Sequence, residues 1–359
     1  MIDESDLQKA RISLSNLSNI GPIAVMPDFF IDRFIKVESF QDLWKSIARK
    51  GRGGGGGSIR GIIQDEVKGG NAVNVAYSLA KFGAKVKLLA ISNSLPKLIL
   101  TSIFSAFPNV ELEILPGNSG YTVALEGIEK GRHVNIMLSD TGAVSDFDGT
   151  EIPKKYWRAM KECRAVSVLN WGANKRGTEL CKRVFSFAKK ELRGKALTFF
   201  DPSDPSESLE LLPSLKKQVF DTGLVDVMSL NENEARILGK AFVGFRLWYD
   251  YTTTDLFRLG LKLSECCGTR VDIHTRKISL SCMGMDYVVE RCARVKQRIV
   301  TGAGDVWDAA DLIGYLAGIS PTLRLAFANA AAGLYVSSTS AEPPELESVL
   351  EVLAMRKSH

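Results

Sequence analysis

Strand-like and helix-like segments alternate along most of this chain, and that alternation constrains its fold more than any other feature. Short apolar runs at 165–170, 196–200 and 225–230 are each followed by a segment with helical spacing of apolar residues. Earlier in the chain, strands are predicted at 23–26, 86–91 and 110–115, with helices at 72–82 and 96–107. Repeated strand–helix units require a largely parallel sheet covered by helices on both faces. The sequence therefore predicts one α/β domain over residues 1–359.

Two stretches depart from this alternation. Strand patterns at 34–38 and 62–67, and a hairpin-like pair at 121–127 and 133–139, predict a separate small β-sheet. We expect this sheet to form a lid built from approximately residues 33–67 and 118–140. The five consecutive glycines at 53–57 are typical of a flexible linker, since the strand-then-helix context of a phosphate-binding loop is missing around them.

Composition narrows the classes of function. The 46 basic and 41 acidic residues give a net charge of +5 without a basic block, so we expect no nucleic-acid partner. No apolar run reaches membrane-spanning length, so we expect no membrane partner. The six cysteines show neither a CxxC pair nor zinc-type spacing, which predicts reduced thiols and a cytoplasmic location.

A glycine-rich turn precedes the predicted helix that starts at Asp305. It consists of Thr301, Gly302, Ala303 and Gly304. Two glycines allow a tight turn that aims backbone N–H groups at one point, where the helix dipole also favours an anion. A carboxylate beside an anion site suits a base that takes a proton from a hydroxyl attacking phosphate. Asp305 as an ordinary helix N-cap is the alternative interpretation.

Polar residues follow several predicted strands, where doubly wound sheets bind their ligands. They are Asp28 and Asp32, the segment from Gly69 to Asn74, Asn170 and Asn174 to Arg176, Asp201, and Asn231 to Glu234. Each also has a structural interpretation as a turn or cap; Asn231 and Glu234, for example, have capping-box spacing. Together they predict one edge that binds hydroxyls, phosphate and magnesium.

Over about residues 23–340 the sequence resembles the ribokinase-like, or PfkB, family of carbohydrate kinases. The resemblance rests on the segment Gly69–Gly70–Asn71–Ala72–Val73–Asn74 and on the later Thr301–Gly302–Ala303–Gly304–Asp305. Between them, Asn231 and Glu234 match the family's N-x-x-E, and the segment 328–332 resembles its late nucleotide-side helix. The family's ribokinase-like fold is a three-layer α/β/α sandwich with a mainly parallel central sheet and a small β lid.

The resemblance implies a sugar or nucleoside kinase and a role for each matching residue. Asp305 would be the general base, and Gly302, Ala303 and Gly304 would donate N–H groups to the transferring phosphoryl group. Asp32, Gly69, Gly70 and Asn74 would bind the acceptor; Asn231 and Glu234 would position Mg²⁺, with Glu234 as the metal residue; Thr301 and Asn329 would lie at the nucleotide. The implied ligands are Mg²⁺, a nucleotide donor (ATP or ADP), and a small-molecule sugar, sugar phosphate or nucleoside.

Several departures from the family pattern concern the donor. Ile299 and Val300 stand where the family has Asp-Thr, and Asp311 falls at a usually apolar position. The family's T-x-G-x-x-G loop is missing, and its place is taken by residues 274–279. Arg276 or Lys277 would either meet a diphosphate terminus or be solvated turn residues.

The whole pattern is similar to archaeal members of the family, including ADP-dependent ribose-1-phosphate kinases. In that reading Lys175 and Arg176 would hold a phosphate already on the substrate; alternatively they begin a basic helix in solvent. The most specific hypothesis is thus an ADP-dependent ribose-1-phosphate kinase. The alternatives are an ATP-dependent sugar or nucleoside kinase and a homologue that binds its ligands without catalysis. An exposed lid would also have edges suited to a homodimer.

Overall fold

A nine-stranded sheet lies at the centre of the computed structural model, which describes residues 4–52, 54–129, 132–299 and 301–355. Its strands, in chain order, are β1 (Ile23–Met26), β4 (Val86–Ser92), β5 (Val110–Pro116), β8 (Ala165–Leu169), β9 (Leu197–Asp201), β10 (Val227–Asn231), β11 (Arg270–His274), β12 (Ile278–Met283) and β13 (Asp286–Arg291). The spatial order is β13-β12-β11-β10-β9-β8-β1-β4-β5. Neighbours are parallel except that β12 pairs antiparallel with β11 and β13. The predicted α/β class with a mainly parallel sheet is confirmed.

Helices cover both faces of this sheet. They are α1 (Glu4–Ser15), α3 (Asn71–Lys81), α4 (Ser94–Ser105), α5 (Lys154–Met160), α6 (Gly177–Glu191), α7 (Leu212–Leu215), α8 (Glu232–Val243), α9 (Thr253–Cys267), α10 (Ala303–Leu316), α11 (Pro321–Ser337) and α12 (Leu346–Met355). A further helix, α2 (Phe40–Gly51), packs against a second, smaller sheet. None of the helices in the described part of the chain is both long and apolar enough to span a membrane.

The strands separate two hydrophobic cores because successive side chains point to opposite faces of a sheet. In β1, Ala24 and Met26 join one core, and Ile23 and Val25 join the other. The first core contains residues of α5 to α9, and the second contains residues of α1, α3, α4 and α10 to α12. Burial on both faces explains why these strands read as continuous apolar runs.

The remaining four strands form a separate sheet, which we call the small sheet. They are β2 (Phe30–Ser39), β3 (Ile63–Gly69), β6 (Gly120–Glu129) and β7 (Arg132–Asp140), in the order β3-β2-β6-β7. The tip of the hairpin at 130–131 and the glycine at 53 lie outside the described residues. The other glycines of the run lie in an exposed loop between α2 and β3, as a linker would.

Candidate active site

The first part of the site is a turn between β3 and α3, which we call the acceptor turn. Gly70 precedes α3 with φ of 92°, a conformation that favours glycine. Asp28, just after β1, accepts hydrogen bonds from the backbone N–H groups of Asn71 (2.8 Å) and Ala72 (2.9 Å). Its carboxylate therefore caps α3 and fixes the turn in place. Asn170, which follows β8, donates a further hydrogen bond of 2.8 Å to Asp28.

Asp32, on β2, lies directly over the acceptor turn. A Cβ on Gly69 would overlap the Asp32 carboxylate, so only glycine leaves room for it. Asp32 is buried, and its Oδ1 has no hydrogen-bond partner within the described protein. Burial raises the pKa of Asp32 to about 6. An unpartnered carboxylate oxygen beside a glycine turn is suited to accept a hydrogen bond from a ligand hydroxyl.

The second part is the glycine turn that begins α10, which we call the anion turn. Gly302 has φ of 85°, and α10 starts at Ala303, so the first N–H groups of the helix have no partner within it. The hydroxyl of Tyr335, on α11, donates to the carbonyl of Thr301 at 2.8 Å and holds the turn from behind. The arrangement has the features of an anion site: free amides, glycine and the positive end of a helix dipole.

Asp305 connects the two turns. It lies in the first turn of α10, and its Oδ2 accepts a hydrogen bond of 2.9 Å from Asn74 Nδ2 on α3. Burial raises the pKa of Asp305 well above its ordinary value; Asn74 opposes the rise, and the charges of Asp201, Asp28 and Asp32 add to it. A buried carboxyl with a raised pKa is suited to take up a proton near neutral pH.

The third part is a group of acidic side chains beyond β9 and β10. Glu234 and Asn231 form a capping box at the start of α8, in which the backbone N–H of Asn231 donates to Glu234 at 2.7 Å. Burial, and then the charge of Asp201, raise the pKa of Glu234 well above its ordinary value. Asp201 also contacts Asp308, which lies one turn after Asp305 on α10. Asp308 accepts a hydrogen bond from the hydroxyl of Ser229.

Sequence reasoning assigned no role to Asp308. Its spacing of three from Asp305 was the signal available, since residues three apart on a helix lie on one face. Its contact with Asp201 joins residues more than a hundred positions apart, which no local pattern predicts.

These carboxyls are suited to hold Mg²⁺ indirectly, through the water molecules bound to the ion. Both oxygens of Glu234 accept hydrogen bonds from Asn231, and no group of three or more metal-ligating side chains occurs among the described residues. Mg²⁺ commonly keeps several waters and takes one or two carboxylates together with substrate phosphates. These side chains therefore suit an ion that is held through its waters and the substrate phosphates. They do not form a closed cage of protein ligands.

Beside the anion turn, His274 ends β11 and stacks on Trp307 with 4.8 Å between ring centroids. The edge of the imidazole would lie 3.4 Å from a Cβ on Gly304, so it packs against the anion turn. Trp307 donates through Nε1 to Asn329 Oδ1 at 3.0 Å, and the Nδ2 of Asn329 is buried without a hydrogen-bond partner in the described structure. Burial lowers the pKa of His274 to about 4. The role of His274 was not foreseen, because the family pattern has a glycine-rich loop there.

Two predicted features lie apart from these turns. Arg176 is half-exposed and forms an ion pair with Asp148, and none of the contacts described above involves it. Asp311, unusual for the family, pairs with the buried Arg324, as does Asp272 on β11. Val300 lies outside the described residues, whereas Ile299 packs on the second core.

Comparison with known proteins supports the fold. No protein-family model matches the chain, and no curated protein matches its sequence. Solved structures do match: ribokinase from Thermotoga maritima (TM-score 0.68, 19% identity) and ribokinase from Arabidopsis thaliana complexed with ribose and ATP (TM-score 0.70, 19% identity). In both cases 93% of this chain and 98% of the other are covered.

A nucleoside kinase from the archaeon Methanocaldococcus jannaschii also matches, with a TM-score of 0.61 at 16% identity over 93% of this chain and 98% of the other. At these identities the likeness establishes the ribokinase-like fold. The three proteins are two ribokinases and a nucleoside kinase.

Proposed function

We propose that this protein is a phosphotransferase that moves a phosphoryl group from a nucleotide to a hydroxyl of a sugar or nucleoside. The hydrogen bond between Asn74 and Asp305 is the observation that carries the proposal. It joins a turn suited to hydroxyls with a turn suited to phosphate, and it leaves a carboxyl of raised pKa between them. In-line phosphoryl transfer needs this combination of positioning, a base and charge stabilisation.

In this mechanism Asp32 and the acceptor turn of Gly69 and Gly70 hold the acceptor through its hydroxyl groups. The carboxylate of Asp305 takes the proton of the attacking hydroxyl. The backbone N–H groups of Gly302, Ala303 and Gly304 donate hydrogen bonds to the transferring phosphoryl group. Such groups stabilise the charge that develops on the phosphoryl oxygens.

Asn231 and Glu234 would hold Mg²⁺ through its waters, and Asp201, which interacts with both Glu234 and Asp308, would help to orient those waters. When bound, the ion neutralises charge on the donor phosphates. Thr301 and Asn329 lie on the donor side, where the buried, unpartnered Nδ2 of Asn329 is free to donate to the nucleotide.

For the substrates we propose ADP as donor and ribose 1-phosphate as acceptor, with Arg176 on the acceptor phosphate. This assignment requires Arg176 to exchange its partner Asp148 for the phosphate, which its half-exposed position permits. ATP with a sugar or nucleoside is the alternative, because neighbours of this fold include a ribokinase complexed with ribose and ATP.

A matrix of donors against acceptors tests the proposal. ATP, ADP and pyrophosphate are each incubated with ribose, ribose 1-phosphate, nucleosides, hexoses and inositol in the presence of Mg²⁺, and transfer is followed by phosphorus NMR. Turnover with at least one pair is expected. Ligand binding without transfer in every pair would instead indicate a non-catalytic homologue, the candidate favoured by the replacement of the glycine-rich loop with His274 and its neighbours.

We further propose that the small sheet mediates a homodimer. It carries exposed apolar side chains on its outer strands, among them Ile63 (65% exposed), Ile136 (42%) and Leu138 (59%). Exposed apolar surface and free strand edges are common features of subunit interfaces. The cytoplasmic location expected from the cysteines stays a prediction.

A further inference from the structure

Two separate basic segments are held side by side near the anion turn. The first is the turn after β11, which closes with a hydrogen bond of 2.9 Å from Thr275 N to the carbonyl of Ile278. The second is the segment that follows β13. Cys292 N donates to the carbonyl of Lys277 at 2.9 Å, and Cys292 Sγ contacts the carbonyl of Thr275 at 3.4 Å. The basic residues of both segments therefore share one edge.

We call this edge the basic rim, which comprises Arg276, Lys277, Arg294, Lys296 and Arg298. In the sequence these residues form two short groups and do not resemble a single basic block. Folding brings the groups together, so the low basic density along the chain understates the local positive charge.

Both ends of the basic rim connect to the anion turn. Arg276 is two residues from His274, whose ring packs against Gly304. Arg298 is bonded through its N–H to the carbonyl of Val336 at 2.8 Å, next to Tyr335, which holds Thr301. Arg298 precedes Thr301 by three residues, a span of at most about 11 Å. These links place the two basic segments beside the anion turn, which is the site proposed for the terminal phosphate of the donor.

The basic rim has no ion-pair partner among the described residues. All five of its side chains are exposed. No acidic residue occurs between Arg291 and Gly304. The candidate active site beside the basic rim is rich in acidic groups instead. Six of its carboxyls are buried, namely Asp28, Asp32, Asp201, Glu234, Asp305 and Asp308.

This imbalance creates an electrostatic problem for a phosphate donor. A chain of two or three phosphates carries several negative charges, and those of the six carboxyls that ionise repel them because screening by water is weak there. The glycine-rich loop that the family uses is missing. Lys68, which interacts electrostatically with Asp305, supplies one positive charge near the anion turn, and the basic rim supplies further cations beside it.

We infer that the basic rim binds the polyphosphate chain of the phosphoryl donor through side-chain cations. This inference rests on the proposed kinase function and adds the chemical class of ligand recognised at the donor entrance: a di- or triphosphate chain. Nucleotides and inorganic polyphosphate share that chemistry.

The test uses the full chain with the triple substitution Arg294→Gln, Lys296→Gln and Arg298→Gln. A matched control lowers the net charge equally with Lys182→Gln, Lys190→Gln and Lys240→Gln, which are exposed on α6 and α8. Binding of ATP, ADP and tripolyphosphate is measured by calorimetry at low and at moderate salt. Circular dichroism checks that both variants fold.

We expect the rim variant to bind the preferred donor at least about tenfold more weakly, with a smaller salt dependence, while the control stays near wild type. The KM for the acceptor is expected to stay unchanged. Tighter binding of ATP or ADP than of tripolyphosphate identifies a nucleotide as the source of the phosphate chain; equal binding identifies the phosphate chain alone. Both results support the inference.

Donor binding by the rim variant equal to that of the control would overturn the inference and leave the kinase proposal standing, provided wild type still transfers phosphate. Loss of oligonucleotide binding, with donor binding unchanged, would assign the rim to nucleic acid and also overturn it. A wild-type protein that binds none of the three phosphate compounds would contradict both proposals.

Discussion

At the scale of single residues, the acceptor turn depends on one glycine that leaves room for a carboxylate. Gly69→Ala would push the Asp32 side chain away, because the new Cβ would occupy its place. We expect kcat/KM for the acceptor to fall about 10²-fold, since small displacements of positioning groups have effects of that size. Steady-state kinetics measure it. Gly55→Ala is the control, because a Cβ there meets nothing within 4 Å. Equal kinetics in both variants would contradict the role of Asp32.

The raised pKa of Asp305 has a consequence for the pH dependence of the rate. Its carboxylate is the form that accepts a proton, and burial shifts the pKa upward, so the base is lost as pH falls through that raised value. We expect kcat to decline on the acid side at a pH well above the ordinary aspartate pKa. A profile of kcat against pH at saturating donor and acceptor measures this. A rate that stays constant down to the ordinary aspartate pKa would contradict a base role for Asp305.

Several residues of the site were predictable from the chain because glycine and polar residues follow predicted strands. Asp305, Asn74 and Asp32 are of this kind, and the structure brings them to one place. The sequence marks His274 only as part of a segment that replaces the family's loop, because its stacking on Trp307 joins residues 33 apart that share no local pattern. Arg176 was expected at the substrate, but its nearest charged partner is Asp148, on a loop that the motifs do not cover.

At the scale of elements, a buried ion cluster ties α10 and α11 to β11. The guanidinium of Arg324, 1% exposed, pairs with Asp272 and Asp311. Burial by itself raises the pKa of Asp272, but the charge of Arg324 outweighs it and leaves that pKa below its ordinary value. Without Arg324, the buried Asp272 and Asp311 would lose their ion-pair partner and keep only the weaker electrostatic support of Arg270.

We therefore expect Arg324→Met to lower the free energy of unfolding by about 3–5 kcal/mol, measured by urea denaturation. Arg11→Met is the control: Arg11 pairs with Glu347 at the surface, and exposed pairs contribute about 0–1 kcal/mol. Similar losses in the two variants would show that the cluster is not a special source of stability.

Element prediction succeeded for several helices and strands of the central sheet and missed others, among them α2. The helix at 72–82 and the strands at 86–91 and 165–170 lie within a residue or two of α3, β4 and β8. Helix α2 was missed although the sequence carries its signal: apolar residues recur at 40, 43, 44, 47 and 48, and Ser39 caps its start. The cluster of Arg324 was equally invisible, since its partners lie 13 and 52 positions away on other elements.

At the scale of the whole molecule, we expect the exposed apolar side chains of the small sheet to form a dimer interface. Ile136 and Leu138, two residues apart on β7, point to the same face, so charging both would disrupt an interface there. We expect Ile136→Lys with Leu138→Lys to convert a dimer to a monomer in sedimentation velocity. Leu98→Lys, at an exposed position on α4, should leave the dimer intact. A wild-type protein that sediments as a monomer at all concentrations would contradict the proposed dimer.

The central claim is that Asp305 is the base of a phosphoryl transfer. The most direct test compares wild type with Asp305→Asn, which keeps the size of the side chain and removes its basicity. Turnover with the best donor and acceptor pair and donor binding by calorimetry are measured on the same preparations. We predict a loss of about 10²–10⁴-fold in kcat with nearly unchanged donor affinity. Full turnover by Asp305→Asn would contradict the account.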